Sequence, residues 1–227
     1  MNGTFTYDWD FSFLLNYKDA FIDGVFVTLY ISFSAFIIGT LLGILIGIAL
    51  NYIPLKKFFL LSNDAIRAIP MLVMIFFVYY FPFKNIFGIQ PPNALYSSII
   101  AMSITQASYT ADIVRSALLN VSKKTIMGAK ALGYKEKTIL RYIMIPDILR
   151  QILPAEIAFF IGIIRLSSLA SVIGASEIVF VARTSISQNF RSLEAWIVVA
   201  IIYIILVLPI TYFTRQFENS KWLKRKW

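Results

Sequence analysis

Residues 128–146 read "GAKALGYKEKTILRYIMIP", a basic, helix-forming segment broken by one glycine inside a strongly apolar chain. Lys123 to Leu132 favours helix, Gly133 interrupts it, and Lys135 to Ile145 resumes a helical pattern that Pro146 is expected to end. Ile139, Tyr142 and Ile143 fall on one face of the second piece, with Lys135, Lys137 and Arg141 largely elsewhere. Glycine tolerates the positive φ of a sharp corner, so Gly133 reads as the corner of a helix-turn-helix. One reading is a protruding helical pair with an apolar face and a basic rim. The other is a solvated loop with some interfacial helix.

Outward from this segment the chain is written for a bilayer. Its 227 residues are 59% hydrophobic, against roughly 45–50% in soluble domains, and the mean hydropathy is +0.74. The excess lies in long blocks. The length allows one membrane domain and no sizeable soluble one. Neither cysteine nor histidine occurs, which excludes disulfides, Cys/His metal sites and Ser-His or Cys-His pairs within the chain. No phosphate-binding G-x-x-x-x-G-K-[ST] loop is present, so ATP is not expected to bind by that route. The N-terminus, "MNGTFTYDWD", is acidic and lacks a small-residue cleavage site, so no removable signal peptide is expected there.

Five spans are expected: Val25 to Leu50, about Leu60 to Phe83, Ala94 to about Leu118, about Ile148 to Ser171, and Ala195 to Thr214 with a bend at Pro209. Most of the 21 basic residues fall between spans 1 and 2, between spans 3 and 4, and in the tail. The net charge of +9 is therefore read as cytoplasmic loops, not as nucleic-acid binding. The positive-inside bias puts the N-terminus outside and the C-terminus inside. Residues 1–23 are expected to form an external arm, with Asn16 to Asp23 as a short interfacial helix or as an unstructured part of the arm. Residues 24–217 form the membrane domain, with the cornered helices at about 122–146, and 218–227 form a cytoplasmic tail.

Within the spans, Gly39, Gly43 and Gly47 recur every four residues on one face and are expected to form a packing seam. A charge at the bilayer centre costs roughly 2.5–3.5 kcal/mol, so charged positions should face protein or water. Asp112 and Arg115, three apart, can pair and are expected to fix the inner end of span 3 or to contribute to a gate. Arg67 and Pro70 set where span 2 begins. Glu156 pairs with Arg150 or another basic group, or faces a pathway.

The spacing Ala129, Gly133, Ile143, Ile145-Pro146 resembles the E-A-A, three residues, G, nine residues, I-x-L-P signature of importer-type ABC transporter permeases, with Met127 at the Glu position and Gly128 at the first Ala. Three more segments resemble the polar amino acid (histidine/glutamine/arginine type) permeases. "RAIPMLVMIFFVYYF" (67–81) is similar to R-G-T-P-L-L-V-Q. "SYTADIVRSALLNV" (108–121) is similar to A-Y-x-A-E-I-x-R-G-A. "IIRLSSLASVIGASEI" (163–178) is similar to L-L-K-D-T-S-L-A-S-V-I-G-x-x-E-L, with Leu166 in place of Asp.

This resemblance, in order from about Gly24 to the C-terminus, implies an all-α MetI-like membrane fold. It implies a permease subunit of an importer in the bacterial cytoplasmic (inner) membrane, itself no enzyme, carrying a polar amino acid or another small solute. The implied partners are an ATP-binding cassette ATPase dimer that binds ATP and Mg, a second permease subunit, identical or not, and an extracytoplasmic solute-binding protein. No cofactor is implied in this chain. Ala129, Gly133, Ile143 and Pro146 would couple to the ATPase. Arg165, Ser167 and Ser168 would line the substrate pathway, with Asp112, Arg115 and Arg67 as gate candidates. Arg165 can hold a carboxylate bidentately, while Leu166 removes the family's carboxylate. The substrate is then neutral or acidic, or its site lies on a partner permease, or selectivity rests on the binding protein. The competing classes are a secondary transporter, against which five spans without a repeat argue, and a membrane scaffold or enzyme without His or Cys chemistry.

Overall fold

The computed structural model describes residues 7–50 and 56–219, and these are helical throughout their regular structure. The first six residues and the tail beyond 219 lie outside the described residues. Helix α1 runs unbroken from Phe13 to Ala49. Its 37 residues span about 55 Å at about 1.5 Å per residue, longer than a ~30 Å hydrocarbon core. The stretch Asn16 to Asp23, expected as a separate interfacial helix, is thus part of the N-terminal end of α1. Gly24, which stands between it and the apolar run, does not break the helix.

The buried face of α1 is a stripe of mostly small residues that includes Gly24, Thr28, Ser32, Ala35, Gly39, Gly43 and Gly47, while Leu41, Leu42, Leu45 and Ile46 are exposed. This inverts a soluble helix. Lipid accepts large apolar side chains, and small ones mark where another backbone comes close. That backbone is α5 (Ala94–Asn120). A Cβ on Gly39 would stand 2.6 Å from Gln106 Cβ, on Gly43 2.5 Å from Thr110 Cβ, and on Gly47 2.8 Å from Val114 Cβ. The glycine face is a packing seam.

The second expected span is not one rod. Helix α2 (Lys56–Ala68) is amphipathic, α3 (Met71–Tyr80) is apolar, and their axes differ by 100° across Ile69-Pro70. Proline pushes the residue before it out of helical geometry and cannot donate to the preceding turn. The short α4 (Phe83–Phe87) ends on Gly88 at φ 68°.

Helix α5 starts on an Asn93 cap that accepts from Tyr96 N–H at 3.0 Å. It is long enough to span but does not reach span-like hydropathy, because α1, α2, α3 and α8 surround it. Its buried positions carry Ser97, Ser98, Ser103, Thr105, Gln106, Ser108 and Thr110. Several hydroxyls return their proton to the same helix, as Ser98 does to Ala94 O at 2.8 Å and Thr105 to Ala101 O at 3.1 Å.

Helices α6 (Lys123–Ala131) and α7 (Glu136–Ile139) follow. A π-helical stretch, Leu140–Met144, leads directly into α8 (Ile145–Leu166). Pro146 therefore does not end the helical run. Ile145 N–H bonds five residues back to Leu140 O, and this wider turn accommodates a proline in the first turn of α8. A 3₁₀ segment, Ser167–Ile173, continues α8. Helix α9 (Ile178–Asn189) packs on α1 and α10 (Ser192–Glu218), with Pro209 inside a continuous α10.

By length and composition α1, the run Glu136–Ile173 and α10 can each cross a membrane, and the bent α2–α3 pair makes a fourth candidate. The count of about five is reached with α5, whose polar residues face helices rather than lipid.

Candidate functional site

The corner at Gly133 is built by a C-terminal capping motif. Gly133 has φ 79°. Its N–H bonds Lys130 O at 3.0 Å, and Tyr134 N–H bonds Ala129 O at 3.1 Å. These pairings satisfy the last carbonyls of α6 and need a residue that enters the left-handed region freely. Lys130 Nζ and Glu136 Oε1, 3.0 Å apart, bridge the corner in solvent. Ala129 and Ile139 are buried and Ile143 is half-buried, where α6 packs on α7 and α7 runs into the π-stretch. Tyr142, expected on the same apolar face, is exposed. The π-stretch redirects it. Met127, Leu132 and Tyr134 are exposed beside it, an apolar surface with Lys124, Lys135 and Lys137 around it.

The charged candidates Arg67, Asp112 and Arg115 come together. Arg67 Nη1 donates to Asp112 Oδ2 at 2.9 Å, and Arg67 Nη2 pairs with Asp64 Oδ1. Arg115 Nη1 stands 3.8 Å from Asp112 Oδ1. Two cations and two carboxylates thus tie α2 to α5, and the sum of charge is zero. Beside them Asn63 Nδ2 donates to Ser108 O at 3.1 Å and Ser108 Oγ donates to Asn63 O at 2.8 Å. The α2–α5 contact is therefore fixed by polar bonds, directly below the break at Pro70.

A cavity of about 370 Å³ opens at that break. Arg67, Pro70, Gln106, Tyr109, Gly162 and Leu166 are in its wall, so α2, α5 and the end of α8 meet there. The volume lies in the range of small-molecule sites, about 300–1,000 Å³. Of the residues singled out from sequence, Arg67 lines it. Arg165, Ser167 and Ser168 do not, although their neighbour Leu166 does. Arg165 is exposed, its Nε donating to Ile161 O at 3.4 Å. Ser167 and Ser168 give their protons to Ile164 O and Arg165 O, both at 2.8 Å, and keep only acceptor capacity.

Glu156 is buried and accepts from Thr40 Oγ1 at 2.9 Å, Thr110 Oγ1 at 2.8 Å and Gln106 Nε2 at 3.0 Å. The expected pairing with a basic group is replaced by three neutral donors from α1 and α5. They face Glu156 because Gly39 and Gly43 let those two helices close. Spacing on α8 alone carries no sign of this. The only signal was that Thr40 adjoins the glycine face.

On the other side of the chain Glu177 caps α9, accepting from Phe180 N–H at 2.9 Å, with Tyr203 Oη 3.4 Å away. Burial pushes its carboxyl up to about 7, against the two backbone donors and Tyr203 that favour the charged form. Nearby, the arm is tied to the start of α10. Tyr7 Oη donates to Glu194 Oε2 at 2.6 Å, and Arg191 Nη1 donates to Asp8 O at 2.6 Å.

The family of proteins described as binding-protein-dependent transport system inner membrane components matches residues 39–222. The chain is 30% identical over 200 residues to the glutamine transport system permease protein of Escherichia coli, covering 87% of this chain and 91% of that protein. It is 33% identical over 168 residues to the octopine transport system permease protein of Rhizobium radiobacter, covering 71% and 69%. A crystal structure of an amino acid ABC transporter with histidines superposes with a TM-score of 0.82 at 29% identity, over 94% of this chain and 99% of that one.

Proposed function

Because the chain belongs to the family of binding-protein-dependent transport system inner membrane components, we propose that it is the permease subunit through which an ATP-binding cassette importer moves a polar amino acid. The substrate class is supported by the amino acid permeases and transporter it resembles. The observation that carries the mechanism is the exposed, glycine-cornered pair α6–α7, held between two membrane helices, α5 and α8.

In this reading an ATPase dimer binds ATP and Mg and closes against the apolar surface around Met127, Leu132 and Tyr134. Ala129, Gly133, Ile143 and Pro146 transmit the push. Ala129 and Ile143 seat the pair, Gly133 keeps its angle, and Pro146 sits where the π-stretch joins the lever to α8. A rigid α8 then moves the end that carries Leu166. The second permease subunit completes the pore, and an extracytoplasmic binding protein delivers the substrate. The N-terminus is outside and the C-terminus inside, so the lever faces the ATPase.

The substrate passes the cavity at the Pro70 break. The Asp64–Arg67–Asp112–Arg115 set holds the cavity floor, which suits a gate whose charges are already neutralised. Arg165 lies one residue from Leu166 and offers a guanidinium to the substrate carboxylate. Ser167 and Ser168 shape the turn into the 3₁₀ segment.

The test is reconstitution in proteoliposomes with and without the co-purifying ATPase and binding protein. Uptake of amino acids is expected only with all components and ATP. Uptake driven by an ion gradient in the chain alone would instead make it a secondary transporter.

A further inference from the structure

Gln106 is the one residue that belongs both to the cavity wall and to the buried Glu156 cluster. Both N–H groups of its amide are committed, one to Thr110 Oγ1 at 3.1 Å and one to Glu156 Oε2 at 3.0 Å. Its Oε1 accepts no hydrogen bond among the described residues. The orientation is set by its neighbours. Glu156 uses both oxygens as acceptors, and Thr110 gives its own proton to Glu156. Reversing the Gln106 amide would bring its carbonyl against a carboxylate and against a hydroxyl with no proton left to give. The amide is locked with its nitrogen inward, and the carbonyl is its uncommitted polar atom.

Elsewhere in the cavity wall Met71, Phe159, Ile163 and Leu166 are apolar and Arg67 is a donor. The other side-chain acceptors are the hydroxyls of Tyr109 and of Thr105, which gives its proton to Ala101 O, and both are weaker acceptors than an amide carbonyl. A carbonyl left uncommitted in the wall of such a cavity is matched by a donor carried in by the ligand, and an ammonium is the strong partner for it.

We propose that Gln106 contacts the substrate, accepting a hydrogen bond from its α-ammonium at Oε1, and that Glu156 and Thr110 are positioning residues that hold this acceptor in place. This rests on the amino acid reading above and adds to it the group by which the membrane subunit holds its cargo. It also gives the intramembrane carboxylate a purpose other than carrying substrate charge. Glu156 is one side chain behind the wall and acts through Gln106.

The test uses the complete transporter in nanodiscs, without binding protein. Radiolabelled L-glutamine and L-arginine are competed by the same amino acids and by their deaminated analogues. The unaltered protein should prefer the amino acid over its deaminated analogue. Gln106→Met, similar in shape and without the acceptor, should weaken amino acid binding roughly 10- to 100-fold, the effect of one hydrogen bond to a charged group. It should also bring the preference close to one. Thr110→Val keeps the methyl that packs at Gly43, and should shift both values the same way by less. Should Gln106→Met fail to assemble, Thr110→Val carries the test. An unchanged preference in the assembled variants would overturn the role of Gln106 and leave the importer reading standing. Absence of amino acid binding and of ATP-driven amino acid uptake by the unaltered transporter would overturn the substrate reading itself, and the proposal with it.

Discussion

At Gly43 a Cβ would stand 2.5 Å from Thr110 Cβ, whereas at Gly133 it would meet nothing within 4 Å. Gly43 lies in a regular helix where any residue could adopt the backbone angles, and only space forbids a side chain. Gly133 has open space and a φ of 79°, and only the backbone forbids one. The seam between α1 and α5 is a place where the molecule has no room to change. The corner between α6 and α7 is a place where shape is set by two hydrogen bonds and one residue's freedom. The two regions are joined through α5 and α8, and in the proposed mechanism the corner takes up a push that the rigid seam passes on.

The sharpest way to break this contrast is Gly43→Val. The new atoms would overlap Thr110 and Ala107 O. Overpacking should destabilise by more than about 3 kcal/mol, the upper end of its usual range. Melting in detergent and yield of the assembled transporter measure it. A fully stable variant would mean that the two helices can slide apart.

The second test is at the N-terminal end of the same stripe, where a Cβ on Gly24 would come within 3.2 Å of the Ile178 backbone and Glu177 is buried. Its folded pKa of about 7 lies above the ordinary 4.5. Below pH 4.5 both folded and unfolded chains hold the proton. As pH rises from 4.5 to 7 only the unfolded chain releases it, so folding is weakened by up to roughly 3 kcal/mol, and the loss persists above pH 7. Glu177→Gln should remove this slope and melt at the higher temperature at pH 8. Equal pH profiles for the two proteins would show that the carboxyl is hydrated.

Gly133→Val should cost only about 1–2 kcal/mol of stability, the penalty of a left-handed residue. The consequence for transport should be far larger, with ATP hydrolysis retained and uptake lost. Gly133→Asn, which enters the same region more easily, should restore part of the uptake. Wild-type coupling in the valine variant would remove the corner from the mechanism. The smallest effect belongs to Lys130→Ala. Its exposed pair with Glu136 should contribute less than about 1 kcal/mol, and less still at high salt.

What could be read from the chain follows the same division. Gly133 announced its corner, since a lone glycine between two helical patterns has few other uses. The every-fourth-residue glycines announced close approach. The family fold was legible from four ordered motifs. The bend between α2 and α3 was missed because hydropathy adds the two halves together and is blind to direction, although Pro70 stood at the joint. Pro146 reads as a stop because a π-turn has no sequence signature as plain as a proline. The partners of Glu156 are not legible in the sequence because they come from helices 46 to 116 residues away. Gln106 was missed altogether. It is polar in a span, but only the tertiary arrangement shows that its nitrogen is spoken for and its oxygen is not.

The polar interior of α5 has a consequence for how the protein is made. A segment carrying Ser97, Ser98, Ser103, Thr105, Gln106, Ser108 and Thr110 gains little by entering lipid alone. It gains once α1 waits beside the insertion channel, its glycine face open, and the two are released into the bilayer together. Biogenesis therefore has to keep the first helix near the exit while some forty residues of chain emerge between Leu50 and Ala94.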